Sequence, residues 1–237
     1  MSKQEPPLEK GKFYHIYNRG VNSCNLFTDS KTYEHFMNLY DKYISPVADT
    51  YVWVLMKNHF HLLVRIKENV VYKYSNNADR SIDAVRLDAV RFEELKWETT
   101  DLSDLSACNA LDTIGNNLKI PKAHLHFSHF FNAYSKYFNT YTGRHGALFE
   151  RPFKRKEISD IAYFKTLVVY IHNNPVHHKF TDHAMDYPWS SYLTCISIKP
   201  THLQREAVIG WFDNEANFKT AHDHSGDVVN LEQWLDL

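Results

Sequence analysis

A chain of 237 residues, 43% of them hydrophobic, can bury a substantial core, which argues against disorder and fits one elaborated domain or a domain with a small appendage. Lys and Arg total 27 against 28 Asp and Glu, and the net charge of −1 excludes nucleic-acid binding driven by global charge alone. Cys24, Cys108 and Cys195 form no CxxC pair, and the polar start MSKQEPPLEKGK has no apolar stretch, so a reduced cytoplasmic location is expected and secretion or membrane insertion is not.

Taken in chain order, Lys12 to Asn18 is aromatic and β-branched and reads as a first strand closed by Arg19-Gly20. Thr28-Asp29-Ser30 can cap a helix over about residues 30 to 44, whose Tyr33, Phe36, Met37, Tyr40 and Ile44 recur at helical spacing. Two β-rich runs, Tyr51 to Met56 and His59 to Ile66, flank Lys57-Asn58 and predict a tight hairpin. Residues 67 to 122 lack a clear β pattern, carry helical fragments (RSIDAVRLDAVRFEELKW) and read as an insertion.

Apolar residues return at Phe127, Phe130, Phe131, Tyr134, Tyr137, Phe138 and Tyr141, a second helix from about His124 that Gly143 stops. Ala147 to Lys156 reads as a fourth strand, with Pro152 marking an edge or bulge. A last helix starts at Ser159 or Asp160 and is expected to end at Asn173, ahead of Pro175. The order β-α-β-β-α-β predicts an α+β, ferredoxin-like (split βαβ) antiparallel sheet with helices on one face, plus an added C-terminal helix that bears Tyr170. Residues 1–192 are expected to form the main domain, with the insertion at about 67–122, and 193–237 a C-terminal extension packed on it.

On a strand, side chains alternate, so His59 and His61 share one face and can ligate one divalent ion. With 15 histidines the chain is expected to contain roughly one His-x-His by chance, and it has three. The pair His124/His126 begins a predicted helix, where positions two apart do not face each other, and His222/His224 lies in a polar stretch without a strand signal. Only His59/His61 sits in an apolar strand; the bland alternative there is one core and one exposed histidine.

On the last helix Ile161, Phe164, Val168 and Ile171 form a core stripe, whereas Tyr163, Tyr170 and Asn174 fall on another face at about 100° per residue. Tyr170 is thus not needed for that stripe, and Asn174 lies one turn beyond it. A phenol with a pKa near ~10 needs a nearby cation to act as a nucleophile. Two imidazoles and an amide with open positions suit Mg²⁺ or Mn²⁺ on a phosphate oxygen, although imidazoles also accept Zn²⁺. The packing alternative for Tyr170, and a plain helix stop for Asn173-Asn174-Pro175, stand beside this. Between Tyr141 and Glu157 five cations (Arg144, Arg151, Lys154, Arg155, Lys156) face two acids, which fits either a phosphate-tracking patch or a protected strand edge.

MKNHFHLLVRI around the histidines and YIHNNPVHHKF around Tyr170 resemble the HUH-superfamily single-tyrosine transposases, in particular the REP-associated tyrosine transposases. YSKYFNTYTGRHGALFERPFKR and DYPWSSY are similar to further segments of those proteins, so the resemblance spans about Lys12 to Tyr192 without the insertion. It implies a catalytic domain that cleaves and rejoins single-stranded or hairpin-forming DNA, a divalent metal, Mg²⁺ or Mn²⁺, on His59 and His61, and a 5′-phosphotyrosine on Tyr170. It also implies an amide ligand, Asn174 or else Asn173, a location with the nucleoid, and a monomer or a homodimer. The alternatives are a domesticated hairpin DNA- or RNA-binding module without cleavage activity, and a zinc phosphoesterase that uses metal-bound hydroxide.

Overall fold

A computed structural model of the chain describes residues 7–73, 96–99 and 118–223. Its main sheet has four strands, β1 (Phe13–Arg19), β2 (Ala48–Met56), β3 (His59–Ile66) and β7 (Lys154–Ile158), in the order β2-β3-β1-β7 with every neighbour antiparallel. With α1 (Ser30–Tyr43) joining β1 to β2 and α2 (Ala123–Thr142) joining β3 to β7, this is the split βαβ arrangement expected. Asp29 caps α1 through a reciprocal box, accepting from Thr32 N–H at 3.1 Å while Thr32 Oγ1 accepts from Asp29 N–H at 3.2 Å. Gly143, at φ 67°, ends α2 in the left-handed conformation that glycine adopts without strain.

The hairpin turns at Lys57-Asn58 as predicted, but β2 starts three residues earlier than its apolar run, at Ala48, with a register shift between Thr50 and Val52. The polar Asp49 and Thr50 hid that beginning. β7 starts later than predicted, at Lys154, because Pro152 has no N–H to pair with β1. The 67–122 segment contains β4 (Val70–Lys73), β5 (Lys96–Thr99) and β6 (Leu118–Lys119), which pair as a second sheet in the order β5-β4-β6. This corrects the reading of that segment as lacking β structure; its expected helical fragments up to residue 95 lie outside the described residues.

Strand alternation divides the core. Tyr14, Ile16, Leu55, Phe60, Leu62 and Val64 meet α1 and α2, where Phe36 packs edge-on against Phe130 with ring centroids 4.7 Å apart. Val52, Val54, Met56 and Leu63 point to the opposite face and are covered by α3 (Ile161–His177) through Phe164, Leu167, Val168 and Ile171. The added helix thus makes a third layer. Behind it lie α4 (Tyr192–Cys195), α5 (Arg205–Trp211) and α6 (Glu215–Asp223). The Trp189–Ser191 backbone runs along the outer edge of β2, with Leu55 N–H donating to Trp189 O and Ser191 N–H to Trp53 O, each at 2.9 Å. That edge is therefore not left open.

The expected end of α3 at Asn173 is wrong: the helix continues to His177 with Pro175 inside it. An internal proline costs about 3 kcal/mol, and tertiary packing offsets that here. Residues Asn173, Asn174 and Pro175 are all buried, and Asn173 Nδ2 donates to His222 O at 2.9 Å. Beyond the proline, His178 N–H bonds Asn174 O at 3.0 Å and Phe180 N–H bonds Pro175 O at 2.8 Å.

A chain of buried polar groups also ties α3 to α6. His222 Nδ1 lies 2.7 Å from Phe218 O and must donate to it, so its Nε2 accepts from His172 Nδ1 at 2.9 Å. His172 Nε2 then accepts from Ser191 Oγ at 2.8 Å. Replacing His222 by Leu leaves the His172 N–H without an acceptor. The expected loss is about 1–3 kcal/mol, read as a lower urea midpoint for the H222L variant; an unchanged midpoint would mean that the chain carries no stability.

Candidate active site

β3 presents His59 and His61 on the face that α3 covers, with ring centroids 5.3 Å apart and planes at 84°. His61 is 2% exposed and His59 half-buried. α3 brings Tyr170 edge-on to His61, at 5.4 Å between centroids and 82° between planes. One turn further, Asn174 Oδ1 lies 2.9 Å from His59 Nε2. Tyr170, His59, His61 and Asn174 therefore converge on one place, although His59 and Asn174 are 115 residues apart in sequence.

Tyr170 is buried: at 2% exposed it belongs to the packed layer with Val168 and Ile171, although Thr166 of the same helix is exposed. Its side chain is shielded from bulk water. Asn173 faces away, toward α6, through its bond to the His222 carbonyl. Only Asn174 presents its amide to the histidines. Tyr163, two turns before Tyr170, has its phenol pKa pushed up by burial and then by Tyr170 and Tyr17, which keeps it neutral and a poor nucleophile.

The electrostatics of His59 test whether a cation fits. Burial pulls its pKa down to about 4, against a smaller upward pull from Asn174, so the ring is neutral at pH 7 and carries one N–H. Yet Nδ1 lies 2.7 Å from Asn58 Oδ1 and Nε2 lies 2.9 Å from Asn174 Oδ1. One N–H cannot serve two oxygens, and the buried Asn174 Nδ2 has no hydrogen-bond partner. Rotating the amide would mend the Nε2 contact but orphan its oxygen instead.

His59 Nε2 and Asn174 Oδ1 could each offer a lone pair to a divalent ion, which would remove this conflict. His61 is likewise held neutral: burial, then His15, drives its pKa well down. No group of three or more His, Cys, Asp or Glu able to hold a metal occurs among the described residues, so a cation at this place needs the Asn174 amide as well as the two imidazoles.

Sequence reading missed three further histidines. His15 of β1 lies 2.9 Å from His61 Nδ1, His178 packs edge-on to His59 at 5.1 Å between centroids, and His177 stacks near Tyr170 at 6.5 Å. The last two were readable in outline, because His178 falls four residues after Asn174 and His177 seven after Tyr170. His15 was not, since its place depends on which strand neighbours β3. The other His-x-His pairs are elsewhere: His126 donates from Nδ1 to Tyr43 O at 2.9 Å as a core residue, and His222 belongs to α6, whereas His224 lies outside the described residues.

The five cations do not form one patch. Lys154 and Lys156 pair with Tyr17 and His15 across β1 and so share the face of the site. Arg155 projects to the other face, its guanidinium 4.8 Å from the Phe153 ring centre, and with Arg151, Asn18, His124 and Asn132 it lines an open groove of about 930 Å³. Arg144 holds its own loop, donating to Ala147 O at 2.8 Å and Asn139 Oδ1 at 3.2 Å.

No family model and no curated protein matches the chain. Among solved structures, a REP-associated tyrosine transposase bound to a REP hairpin is similar over 84% of this chain and 89% of that chain, at 15% identity and a TM-score of 0.48. A likeness of that size carries no argument about activity or ligand, which rest on the side chains of the site. No helix among the described residues is long and apolar enough to cross a membrane.

The buried histidines give a pH signature. Burial lowers His15 to about 3 and His59, His126 and His222 to about 4 from an ordinary 6.5. Below 6.5 the unfolded chain binds protons that the folded chain refuses. Stability is therefore complete above that pH and is lost as pH falls through the folded values. The urea midpoint should be lower at about pH 5 than at about pH 7.5; equal midpoints would contradict neutral burial of these rings.

Proposed function

We propose that the chain is a metal-dependent enzyme that cleaves and rejoins single-stranded DNA through a 5′-phosphotyrosine on Tyr170. The observation that carries this reading is the meeting of His59 and Asn174 at 2.9 Å beside His61 and Tyr170. MKNHFHLLVRI and YIHNNPVHHKF, the segments that resemble single-tyrosine transposases, thus bring their chemistry-bearing side chains to one point. His59, His61 and Asn174 would hold Mg²⁺ or Mn²⁺. When bound, the ion supplies Lewis-acid polarisation of a phosphate oxygen and charge stabilisation for the phenolate.

The Tyr170 oxygen attacks the phosphorus and forms the Tyr–O–P bond as the P–O3′ bond breaks. The phenol proton passes to water, and the leaving 3′ oxygen takes one up to become a hydroxyl. One phosphoester replaces another, so the bond energy is kept for rejoining and no nucleotide cofactor is needed. Neutral His59 and His61 keep their lone pairs for the ion at pH 7. Lys154 and Lys156, on the same face at the sheet edge, would attract the phosphates of a single strand or of the base of a hairpin.

Single-stranded DNA labelled downstream of the cut should become covalently attached to the protein in the presence of Mn²⁺. Tyr170→Phe should abolish the adduct, and His59→Ala should lower its rate by at least ~100-fold, the size of losing one partner in transition-state stabilisation. Cleavage that survives Tyr170→Phe would favour metal-bound hydroxide, and hairpin binding without cleavage under any divalent metal would favour a binding module; either contradicts the proposal.

A further inference from the structure

His15 is fully buried in the middle of β1, and no step above uses it. The antiparallel register sets Tyr17 opposite His61 and His15 opposite Leu63, so His15 lies on the site's face, diagonal to His61. Its Nε2 is 2.9 Å from His61 Nδ1, and the two ring planes differ by 19°. An N–H in the plane of one ring therefore points at the in-plane lone pair of the other. The Tyr17 ring lies nearly parallel to both, with centroids 4.8 Å from His15 and 5.8 Å from His61, and restrains their tilt.

Two neutral imidazoles share one proton across such a contact, and its owner decides what His61 can do. If His15 Nε2 carries the proton, the proton of His61 sits on Nε2 and blocks it as a ligand. If His61 Nδ1 carries it, Nε2 presents a lone pair. For His59 the second arrangement puts its proton on Nδ1, toward Asn58 Oδ1 at 2.7 Å, and leaves Nε2 to share an ion with Asn174 Oδ1.

We propose that His15 is a positioning residue for His61: its Nε2 accepts the His61 Nδ1 proton, fixing the ring and leaving the His61 Nε2 lone pair for the ion shared with His59 and Asn174. Each metal histidine then has its own acceptor at Nδ1, an amide for one and an imidazole for the other, the supporting role that outer partners of metal-bound histidines commonly fill. In this arrangement the one proton of His15 sits on Nδ1, which is buried with no hydrogen-bond partner, so the arrangement leaves that N–H unmet and is held by the bond to His61 and by the ion on His61 Nε2. This inference rests on the metal reading given under Proposed function.

The test is Mn²⁺ titration of the full chain, following free Mn²⁺ by electron paramagnetic resonance, in the wild type and the variants His59→Ala, His15→Leu and His15→Gln. His15→Leu should weaken Mn²⁺ binding by about 10–100-fold, while His15→Gln, whose side-chain oxygen can take the place of Nε2, should restore most of the affinity. Thermal unfolding of each variant reports folding separately. Wild-type affinity in a folded His15→Leu variant, or a loss that Gln does not rescue, would overturn the role of His15 alone. Absence of Mn²⁺ binding in the wild type, or binding unaltered by His59→Ala, would overturn the metal reading itself. Should His15→Leu fail to fold, ¹⁵N-histidine spectra of the Mg²⁺-saturated wild type decide: a protonated His61 Nδ1 supports the proposal, and a bare one overturns it.

Discussion

The approach of Asn174 on α3 to His59 on β3 is the contact on which the site depends. It requires that β3 lie inside the sheet with its histidines turned away from α1 and α2, which the β2-β3-β1-β7 order and the register with β1 and β2 enforce. It also requires that α3 remain helical through Pro175, because only a helical backbone places Asn174 one turn beyond Tyr170. A helix that unravelled at Asn173 would carry the amide away from the histidines. The energy for holding a proline in the helix comes from the layer behind it, where α6 covers Asn173 and the Ser191–His172–His222 chain closes over the same stretch.

Buried histidines recur in this protein as hydrogen-bonding parts rather than as charges. His126 fastens α2 to the end of α1, His172 and His222 fasten α3 to α6, and His15 and His61 meet under the site. Each is buried enough to stay neutral at physiological pH, as a directional donor-acceptor chain requires and as metal ligation also requires. Such chains are costly when half satisfied. Two of the buried atoms without a hydrogen-bond partner, His15 Nδ1 and Asn174 Nδ2, belong to the site and its immediate support. The His172–His222 chain on the far side of α3, by contrast, has a partner for every ring nitrogen.

The strands, the capped α1, the hairpin turn and the stop of α2 at Gly143 were legible because each rests on a local signal: alternation, an Asp at the cap, an Asn in the turn, a glycine at positive φ. The pairing of His59 with His61 was legible for the same reason. What sequence could not supply was anything set by tertiary packing. Proline chemistry predicted a stop at Asn173, and burial overrode it. Helical spacing set Tyr170 apart from the apolar stripe, yet α3 packs between the sheet and a further helical layer, and the tyrosine is buried too. His15 depends on strand order, which pairs β1 with β3 across 46 residues between His15 and His61. The basic segment looked continuous in sequence and is divided between two faces by the alternation of β7.

The proposed chemistry requires a cation seated between β3 and α3. Crystals soaked in Mn²⁺ and measured at an energy where manganese scatters anomalously test this directly. The account predicts an anomalous peak within bonding distance of His59 Nε2, His61 Nε2 and Asn174 Oδ1, next to the Tyr170 ring. A structure at saturating Mn²⁺ with no peak there, or with Asn174 turned to donate its amide N–H to His59, would contradict it.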